Sequence, residues 1–498
     1  MILTASLLGI ALLLIPLTAA GLIALARNRA LIETIHGIAS LATLGVGLTI
    51  AVQVWRGAPL AALGGLVRVD ALSALLVAVI TTLGAIAGIY SLGYIRAEFD
   101  PSSAPPVNDR GSGRARVFFA LFQLFIFTML VAVTTNNLGV MWVAIEGTTL
   151  ATVFLVNLHH TRTSLEAAYK YLIISSVGIA LAFIGTALMY YAGAALGGEV
   201  AVEWTWLRDA ATKLNPQVVR LAFVFILIGY GTKAGLAPMH TWLPDAHSEA
   251  PAPISALMSG VLLNVGLYAL LRFKVVTDLA VGAEFASHLL LGIGLLSLAV
   301  AAVFLLTQRN YKRMLAYSSV EHIGIVCLGL GFGGYWGVFG ALLHLVNHAL
   351  AKSLLFILSG NILLKYHTTE IRDVRGLLRA APWTGALFLA GTLALIGLPP
   401  FAPFISEFII FRAGLESNAP WVAVAGIVLL AVVFAGMLAS VNRMVYGAPP
   451  EALPRGDALT WSLAPLAVNF ALLLGLGLTL PRAFVDALEQ VVKILGAL

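Results

Sequence analysis

Long apolar runs separated by short polar segments dominate the chain. Apolar runs of about 20 residues match the length that an α-helix needs to cross a hydrocarbon core roughly 30 Å thick. We predict fourteen membrane-spanning helices, at residues 3–26, 33–54, 71–95, 117–135, 138–158, 165–193, 218–243, 253–271, 285–307, 314–332, 335–364, 383–412, 420–446 and 460–480. The first run lacks a basic start and an obvious cleavage site, so we expect a retained span. The pattern predicts an all-α polytopic membrane protein.

Two polar segments lie outside these runs. Residues 481–498 alternate charged and apolar side chains, which predicts a short amphipathic helix at the membrane interface. Residues 98–116 are rich in Pro, Gly and Ser, and this composition predicts a flexible loop.

Composition excludes several classes of function. Hydrophobic residues make up 60% of the 498 residues and charged residues 10%, against roughly 25% charged in soluble domains. The mean hydropathy is +0.97. These values exclude a cytosolic enzyme, a secreted domain and a nucleic-acid binder, although the net charge is +6. The single cysteine, Cys327, excludes a disulfide framework and a cysteine-ligated iron–sulfur cluster.

The sequence contains no Gly-rich phosphate loop, nucleophile elbow or evident cluster of metal ligands. We therefore predict no cofactor and no metal. Lys and Arg are more frequent in the loops after odd-numbered spans, so positive-inside bias predicts that those loops are cytoplasmic. Both termini are then expected outside the cytoplasm, in a multi-pass protein of the prokaryotic inner membrane.

Ionisable residues inside spans are the main candidates for function, because such a group at bilayer depth costs several kcal/mol. They are Glu146, Glu166, Lys170, Lys233, Glu321, His322, His344, His348, Lys352 and Glu407. Glu166 and Lys170 can form a local i,i+4 pair near a membrane face. Glu321 and His322 can face either protein or water near the cytoplasmic end. His344, His348 and Lys352 share one helix face at i, i+4 and i+8. Three titratable side chains in a row inside a span are hard to explain as ordinary core packing.

Helix breakers accompany two of these charges. They are Gly231, Gly235 and Pro238 around Lys233, and Pro399, Pro400 and Pro403 before Glu407. Interrupted helices at matching positions of two halves indicate a transport site. Lys233 and Glu407 lie 174 positions apart. We therefore predict two discontinuous helices and two inverted five-helix repeats, at 117–275 and 276–446, flanked by 1–116 and 447–498.

The residue types favour controlled proton transfer. The charge of a carboxylate beside a buried lysine influences whether that lysine keeps its proton. We expect Glu146 and Lys233 to interact, directly or through one water, as an electrostatic switch. A polar axis is expected to run from Lys233 past Asn264 to His348, Lys352 and Glu407.

Four sequence segments carry a family resemblance: TKAGLAPMHTWLPDAHSEAP, YKRMLAYSSVEHIG, HLVNHALAKSLLF and GLPPFAPFISEF. The chain resembles the antiporter-like, proton-translocating subunits of respiratory complex I, Mrp antiporters and membrane-bound hydrogenases, especially the F subunit of hydrogenase-4-type complexes. The resemblance implies that Glu146 is the switching carboxylate, Lys233 the central proton carrier and Glu407 the exit group, with His344, His348 and Lys352 as the relay. Expected supporting residues are Lys170, Asn264, Glu321, His322, His240, Asp245 and His247.

One departure from the family concerns Asn264, where many relatives have a lysine. Asparagine can hold water but cannot store a proton, so the link between the halves would depend on water and histidines.

Three functions compete. The first is a proton-translocating subunit of a redox-driven complex, such as a hydrogenase-4-like or NADH:quinone oxidoreductase-like complex. The second is a cation/proton antiporter or an ion-coupled inorganic-carbon uptake subunit, and the third is a structural anchor. The charges inside the spans argue against an anchor, and hydrogenase-like features favour the redox-driven complex. With no redox centre of its own, the chain is expected to need other membrane subunits and, through them, a peripheral redox arm. Its expected cargo is the proton, or alternatively sodium.

Overall fold

The described part of the chain is almost entirely helical. The computed structural model describes residues 2–57, 59–99, 110–197, 201–451, 453–459 and 463–497, with side chains except at 2–5 and 110–112. The first ten α-helices are α1 (Ile2–Leu25), α2 (Arg29–Arg56), α3 (Ala71–Glu98), α4 (Arg110–Thr134), α5 (Leu138–Val156), α6 (Arg162–Ala194), α7 (Trp204–Ala210), α8 (Pro216–Ala234), α9 (Trp242–Glu249) and α10 (Ala252–Leu257). The others are α11 (Leu263–Val281), α12 (Ala283–Leu305), α13 (Tyr311–Phe332), α14 (Gly334–Tyr366), α15 (Leu377–Ala380), α16 (Pro382–Leu395), α17 (Ala402–Leu415), α18 (Pro420–Val445), α19 (Leu463–Leu478) and α20 (Arg482–Ile494).

Short elements complete the described structure. Strands β1 (Leu60–Ala62) and β2 (Val67–Val69) form an antiparallel hairpin in which Leu60 pairs with Val69. Short 3-10 turns occur at Leu63–Gly65, Ala211–Lys213 and Met239–Thr241, and a π-helical turn at Met258–Leu262 joins α10 to α11.

The multi-pass helical architecture is confirmed. Among the described residues, twelve helical segments are long and apolar enough to cross a membrane. The other two predicted spans contain shorter helices. The predicted span 383–412 is divided between α16 and α17, and the predicted span 460–480 contains the single helix α19. The segment from α10 to α11, together with α14, forms the centre of the bundle, because their apolar stretches are fully buried.

Asparagine side chains begin several of these helices. An asparagine oxygen that accepts backbone N–H groups satisfies donors left free in the first turn of a helix. The four residues that do so are Asn28 at α2, Asn137 at α5, Asn215 at α8 and Asn310 at α13.

The two predicted helix breaks are present. Helix α8 ends at Ala234, one residue after Lys233, and Gly235 follows with φ +80°, a left-handed conformation that favours glycine. The chain then passes through Pro238 and a 3-10 turn into α9. In the second break, α16 ends at Leu395 and α17 starts at Ala402. The inverted relation of the two halves stays a prediction.

The loop predicted at 98–116 is too long. Helix α3 extends to Glu98, and α4 already begins at Arg110. Packing explains the extra turns: Ala115 is fully buried, and the Arg114 guanidinium lies 5.8 Å from the centroid of the Phe99 ring. Residues 100–109 of the predicted loop lie outside the described residues.

The C-terminal helix forms as predicted, but its apolar face packs against the protein. Helix α20 is bent by 80° from α19 and contacts α2, α3 and α14. The Gln490 amide donates to the Trp55 carbonyl at 2.9 Å, and the Tyr335 hydroxyl donates to Glu489 at 3.1 Å. Helix α20 therefore joins the N-terminal helices to the second half of the chain.

A buried ion pair holds the start of α3 against α11. The two Nη atoms of Arg272 donate to the Asp70 carboxylate at 2.6 and 2.7 Å. Asp70 also accepts from the Ser73 backbone N–H at 3.0 Å, which caps α3. Burial opposes ionisation, but the charge and hydrogen bonds of Arg272 outweigh it and hold the pKa of Asp70 below its ordinary value.

Candidate functional site

Lys233 is fully buried at the broken end of α8. Its Nζ donates to the Thr149 hydroxyl at 2.6 Å and to the Tyr171 hydroxyl at 3.1 Å. The ammonium also lies 5.0 Å from the centroid of the Tyr171 ring, where a cation is attracted by the π-electrons. Helices α5 and α6 therefore supply the groups that replace water around this charge.

Glu146 is joined to Lys233 by one side chain. The Thr149 hydroxyl, which accepts from Lys233, donates to Glu146 Oε2 at 3.1 Å. The other carboxylate oxygen accepts from the Ser176 hydroxyl at 2.9 Å. Glu146 is half-buried. The expected direct or one-water contact is thus replaced by a threonine hydroxyl, and the bond directions run from ammonium to hydroxyl to carboxylate.

A buried histidine cluster, formed by His322, His344 and His348, occupies the second half. His322 Nδ1 and His344 Nε2 lie 2.9 Å apart, and the two rings stack with centroids separated by 5.0 Å. The ring centroids of His322 and His348 are 5.2 Å apart. His344 Nδ1 is 2.9 Å from the Ser406 hydroxyl, next to Glu407 on α17. Helices α13, α14 and α17 thereby bring four predicted site residues together.

Three members of this region also have the composition of a metal site. One side-chain ligand atom each from His322, His344 and Glu407 lies within 4.8 Å of the others. The grouping could not be recognised in the sequence, because these residues come from three helices and follow no metal-ligand spacing. In the structure, the two histidine nitrogens are hydrogen-bonded to each other, an arrangement suited to passing a proton.

Lys352 is fully buried on α14, two turns after His344. Its Nζ donates to the Leu315 carbonyl at 2.6 Å and to the Ser318 hydroxyl, both on α13. Glu321 is also buried on α13, so of the two alternatives for Glu321 and His322 the structure supports burial in protein.

Three buried polar side chains lie near the centre of the bundle with unpaired atoms. Asn264 donates to the Gly260 carbonyl at 2.8 Å, while its Oδ1 has no hydrogen-bond partner within the described chain. Both ring nitrogens of His247 and of His348 are also without such partners there. His247 stacks on Phe356 of α14 with ring centroids 4.9 Å apart. Buried groups of this kind are the ones that ordered water satisfies in proteins.

Lys170 and Asp245 lie apart from the buried groups. The exposed Lys170 ammonium is 2.6 Å from Glu166 and 3.2 Å from Asp245, which also pairs with Arg313. A cavity of about 220 Å³ opens beside them. The local i,i+4 interpretation of Glu166 and Lys170 is therefore correct.

His240 lies in the 3-10 turn after the α8 break and is buried. Its ring packs edge-on against Tyr317 with centroids 6.0 Å apart.

The hydroxyl groups that contact the charges were not among the residues predicted from the sequence. They are Thr149, Tyr171 and Ser176 around Glu146 and Lys233, Ser318 beside Lys352, and Ser406 beside His344. A usable signal was present for some of them: Thr149 lies three residues after Glu146, on the same helix face, and Ser406 directly precedes Glu407.

The fold defines the class, an antiporter-like polytopic membrane subunit with two broken helices and a fully buried lysine at the first break. The family model described as NADH:quinone oxidoreductase/Mrp antiporter, transmembrane, matches residues 135–434. The chain belongs to this family.

Individual relatives agree with the family assignment. A hydrogenase-4 component F homolog of Methylacidiphilum infernorum is 38% identical over 85% of this chain and 87% of its own length. The NADH-quinone oxidoreductase subunit N of Desulforudis audaxviator is 33% identical over 72% of this chain and 68% of its own length. A chain of the membrane-bound sulfane sulfur reductase, an archaeal respiratory complex, has the same fold, with a TM-score of 0.85 at 23% identity over 98% of both chains.

Proposed function

We propose that this chain is the proton-translocating membrane subunit of a redox-driven complex of the hydrogenase-4 or NADH:quinone oxidoreductase type. The observation that carries the proposal is the bonded series Glu146–Thr149–Lys233, in which a fully buried lysine is linked to a carboxylate by one hydroxyl. The named functions of the relatives, a hydrogenase-4 component and an NADH-quinone oxidoreductase subunit, support the redox-driven type.

Glu146 acts in this proposal as the switch and Lys233 as the proton carrier. While Glu146 is ionised, its charge stabilises the ammonium through the oriented Thr149 hydroxyl. When the carboxylate is neutralised or moves away, the buried ammonium loses this stabilisation and its proton leaves Nζ. The threonine hydroxyl keeps the two groups coupled without a direct ion pair.

The second half receives and releases the proton. Water beside Asn264, whose buried Oδ1 has no hydrogen-bond partner among the described residues, carries the proton from the Lys233 region toward His348 and Lys352. The hydrogen-bonded pair His322–His344 then connects this region to Ser406 and the exit carboxylate Glu407. Each step moves a proton between groups that can both accept and donate one.

The energy for transport comes from partner subunits. The single cysteine cannot ligate an iron–sulfur cluster, and the sequence has no nucleotide-binding loop. We infer that other membrane subunits contact this chain and transmit the energy of a peripheral redox arm by changing the charge near Glu146. Positive-inside bias supports both termini outside the cytoplasm. The prokaryotic sources of the relatives support the prokaryotic inner membrane as its location.

The decisive experiment measures proton uptake by membrane vesicles that contain the assembled complex, with a pH-sensitive dye and the complex's own electron donor. Normal proton uptake per electron in both Glu146→Gln and Lys233→Ala would overturn the proposal. Sodium exchange by the chain alone, driven by an imposed gradient in liposomes, would instead favour the antiporter alternative.

A further inference from the structure

A basic cavity of about 680 Å³ is lined by none of the proton-transfer groups and takes no part in the proposed mechanism. We refer to it as the arginine cavity. Its polar lining consists of Arg309, Arg372, Arg375, Arg443, Gln308 and Ser440. Four guanidinium groups and no carboxylate line it. A cavity with this charge and size favours an anion over a neutral or cationic ligand.

The arginines are largely free to bind a ligand. Within the described chain, Arg309, Arg375 and Arg443 form no ion pair with a carboxylate, and Arg375 Nε donates to the Arg372 carbonyl at 3.2 Å. Arg372 lies 3.6 Å from Asp373, but both side chains are exposed, and pairs of this kind contribute little. The guanidinium groups of the arginine cavity repel one another, and no carboxylate in the lining compensates their charge. A bound anion would therefore stabilise them.

The position of the cavity indicates where the anion comes from. Arg443 lies in the last turn of α18, and Arg309 follows the end of α12, so the cavity lies where two spans end. Both helices are mostly unburied along their apolar stretches. Val303, Phe304 and Leu306, at this end of α12, are exposed apolar residues. A ligand held by the arginines therefore has an apolar surface beside it, leading toward the membrane interior.

We propose that the arginine cavity binds the phosphate headgroup of an anionic phospholipid, with the acyl chains against the exposed faces of α12 and α18. Guanidinium groups bind phosphate oxygens through paired N–H donors, and basic cavities between spans on the cytoplasmic side suit anionic headgroups. The loops that form this cavity follow odd-numbered spans, the side that positive-inside bias assigns to the cytoplasm. A bound lipid there neutralises the arginines and fixes the ends of α12 and α18 relative to the segment after α14.

The test uses native mass spectrometry of the full-length purified chain with phosphatidylglycerol and with phosphatidylcholine of identical acyl chains. The cavity variant carries Arg309→Gln, Arg375→Gln and Arg443→Gln. The matched control carries Arg27→Gln, Arg162→Gln and Arg482→Gln, three exposed arginines outside the cavity. We expect phosphatidylglycerol affinity to fall about tenfold or more in the cavity variant and to stay unchanged in the control, with weak phosphatidylcholine binding throughout.

Three outcomes would overturn the proposal. The first is equal phosphatidylglycerol affinity in the cavity variant and the wild type. The second is full displacement of the lipid by inorganic phosphate that binds in its place, which would assign the cavity to the free anion. The third is unchanged phosphatidylglycerol affinity of the purified variant chain together with loss of another subunit when the same variant is purified within its assembled complex, which would assign the cavity to an acidic protein partner. If the triple variant fails to fold, Arg309→Gln and Arg443→Gln are measured singly, and unchanged affinity in both counts against the proposal.

Discussion

Glu146 and Lys233 are joined by a single hydroxyl group, that of Thr149, which accepts from the ammonium and donates to the carboxylate. The ammonium end is fully buried, whereas the carboxylate end is half-buried and bonded to Ser176. The half-buried end is accessible to a neighbouring subunit, and the buried end is not. A change in the charge of Glu146 therefore reaches Lys233 through the Thr149 hydroxyl. A single substitution of Thr149 removes this connection.

The variant Thr149→Val tests this bond directly. It removes the hydroxyl while keeping the branched shape, so we expect redox-driven proton uptake to fall about tenfold, since hydrogen bonds to charged groups contribute about 1.5–3 kcal/mol. The matched control is Thr148→Val, because the neighbouring Thr148 hydroxyl donates only within its own helix, to the Ile145 carbonyl at 2.6 Å. Equal proton uptake in the two variants would exclude a role for the Thr149 bridge.

The variant Glu146→Gln tests the charge of the switch. Glutamine carries no charge and keeps only one acceptor oxygen, so it can accept from Thr149 or from Ser176 but not replace both carboxylate oxygens. Without the negative charge, Lys233 should lose its proton more readily. We expect electron transfer and assembly of the complex to persist while protons translocated per electron decline. Blue-native electrophoresis checks assembly, and dye quenching in vesicles measures translocation. Unaltered translocation in this variant would place the switch at another residue.

The variant Ser406→Ala tests the connection between the histidine pair and α17. The Ser406 hydroxyl lies 2.9 Å from His344 Nδ1, and its loss leaves that buried nitrogen without this partner. We expect slower proton uptake, by about tenfold at most, with the histidine pair still in place. Ser359→Ala is a suitable control on α14, since its buried hydroxyl donates only to the Phe356 carbonyl. A larger effect in the control would indicate general destabilisation.

The variant Asp70→Asn tests the ion pair between α3 and α11. Asparagine still caps α3, but Arg272 loses its counter-charge, so we expect destabilisation of about 3–5 kcal/mol. A lower melting temperature of the purified chain in detergent would report it. Asp209→Asn, in a more exposed pair with Arg208, should change stability little.

The same ion pair predicts a pH dependence. Because the pKa of Asp70 is lower in the folded chain, its stabilisation is present above the unfolded value near 3.8 and is lost as pH falls through the folded value. The melting temperature of the wild type should therefore fall more steeply on acidification than that of Asp70→Asn. Parallel curves would contradict a role for this carboxylate.

The sequence predicted the spans, the two breaks and most of the charged groups for identifiable physical reasons. The length of an apolar run predicts a membrane-spanning helix. Glycine and proline beside a buried charge predict that the helix is interrupted there, as it is at Gly235 after Lys233. The amphipathic tail was also recognisable, since its charges alternate with apolar residues. These signals are local in the chain, so one sequence is enough to show them.

The partners of the buried charges could not be predicted in the same way. Thr149 and Tyr171 contact Lys233 across 84 and 62 positions of sequence. The spacing of Thr149 from Glu146 indicates a shared helix face but not a contact with Lys233, which depends on how the helices pack. The His322–His344–Glu407 grouping likewise depends on how three helices pack. The loop at 98–116 was misjudged because tertiary contacts of Ala115 and Arg114 extend α4 beyond what composition indicates.

The C-terminal helix limits the kind of motion that can accompany transport. Helix α20 bonds Trp55 at the end of α2 through Gln490 and Tyr335 at the start of α14 through Glu489. Any tilt of the N-terminal helices against α14 would have to break these bonds or carry α20 along. Helices α2, α14 and α20 are thus held together by hydrogen bonds. This arrangement favours transport by side-chain rotation and water rearrangement over rigid-body movement of helices α2 and α14 relative to each other.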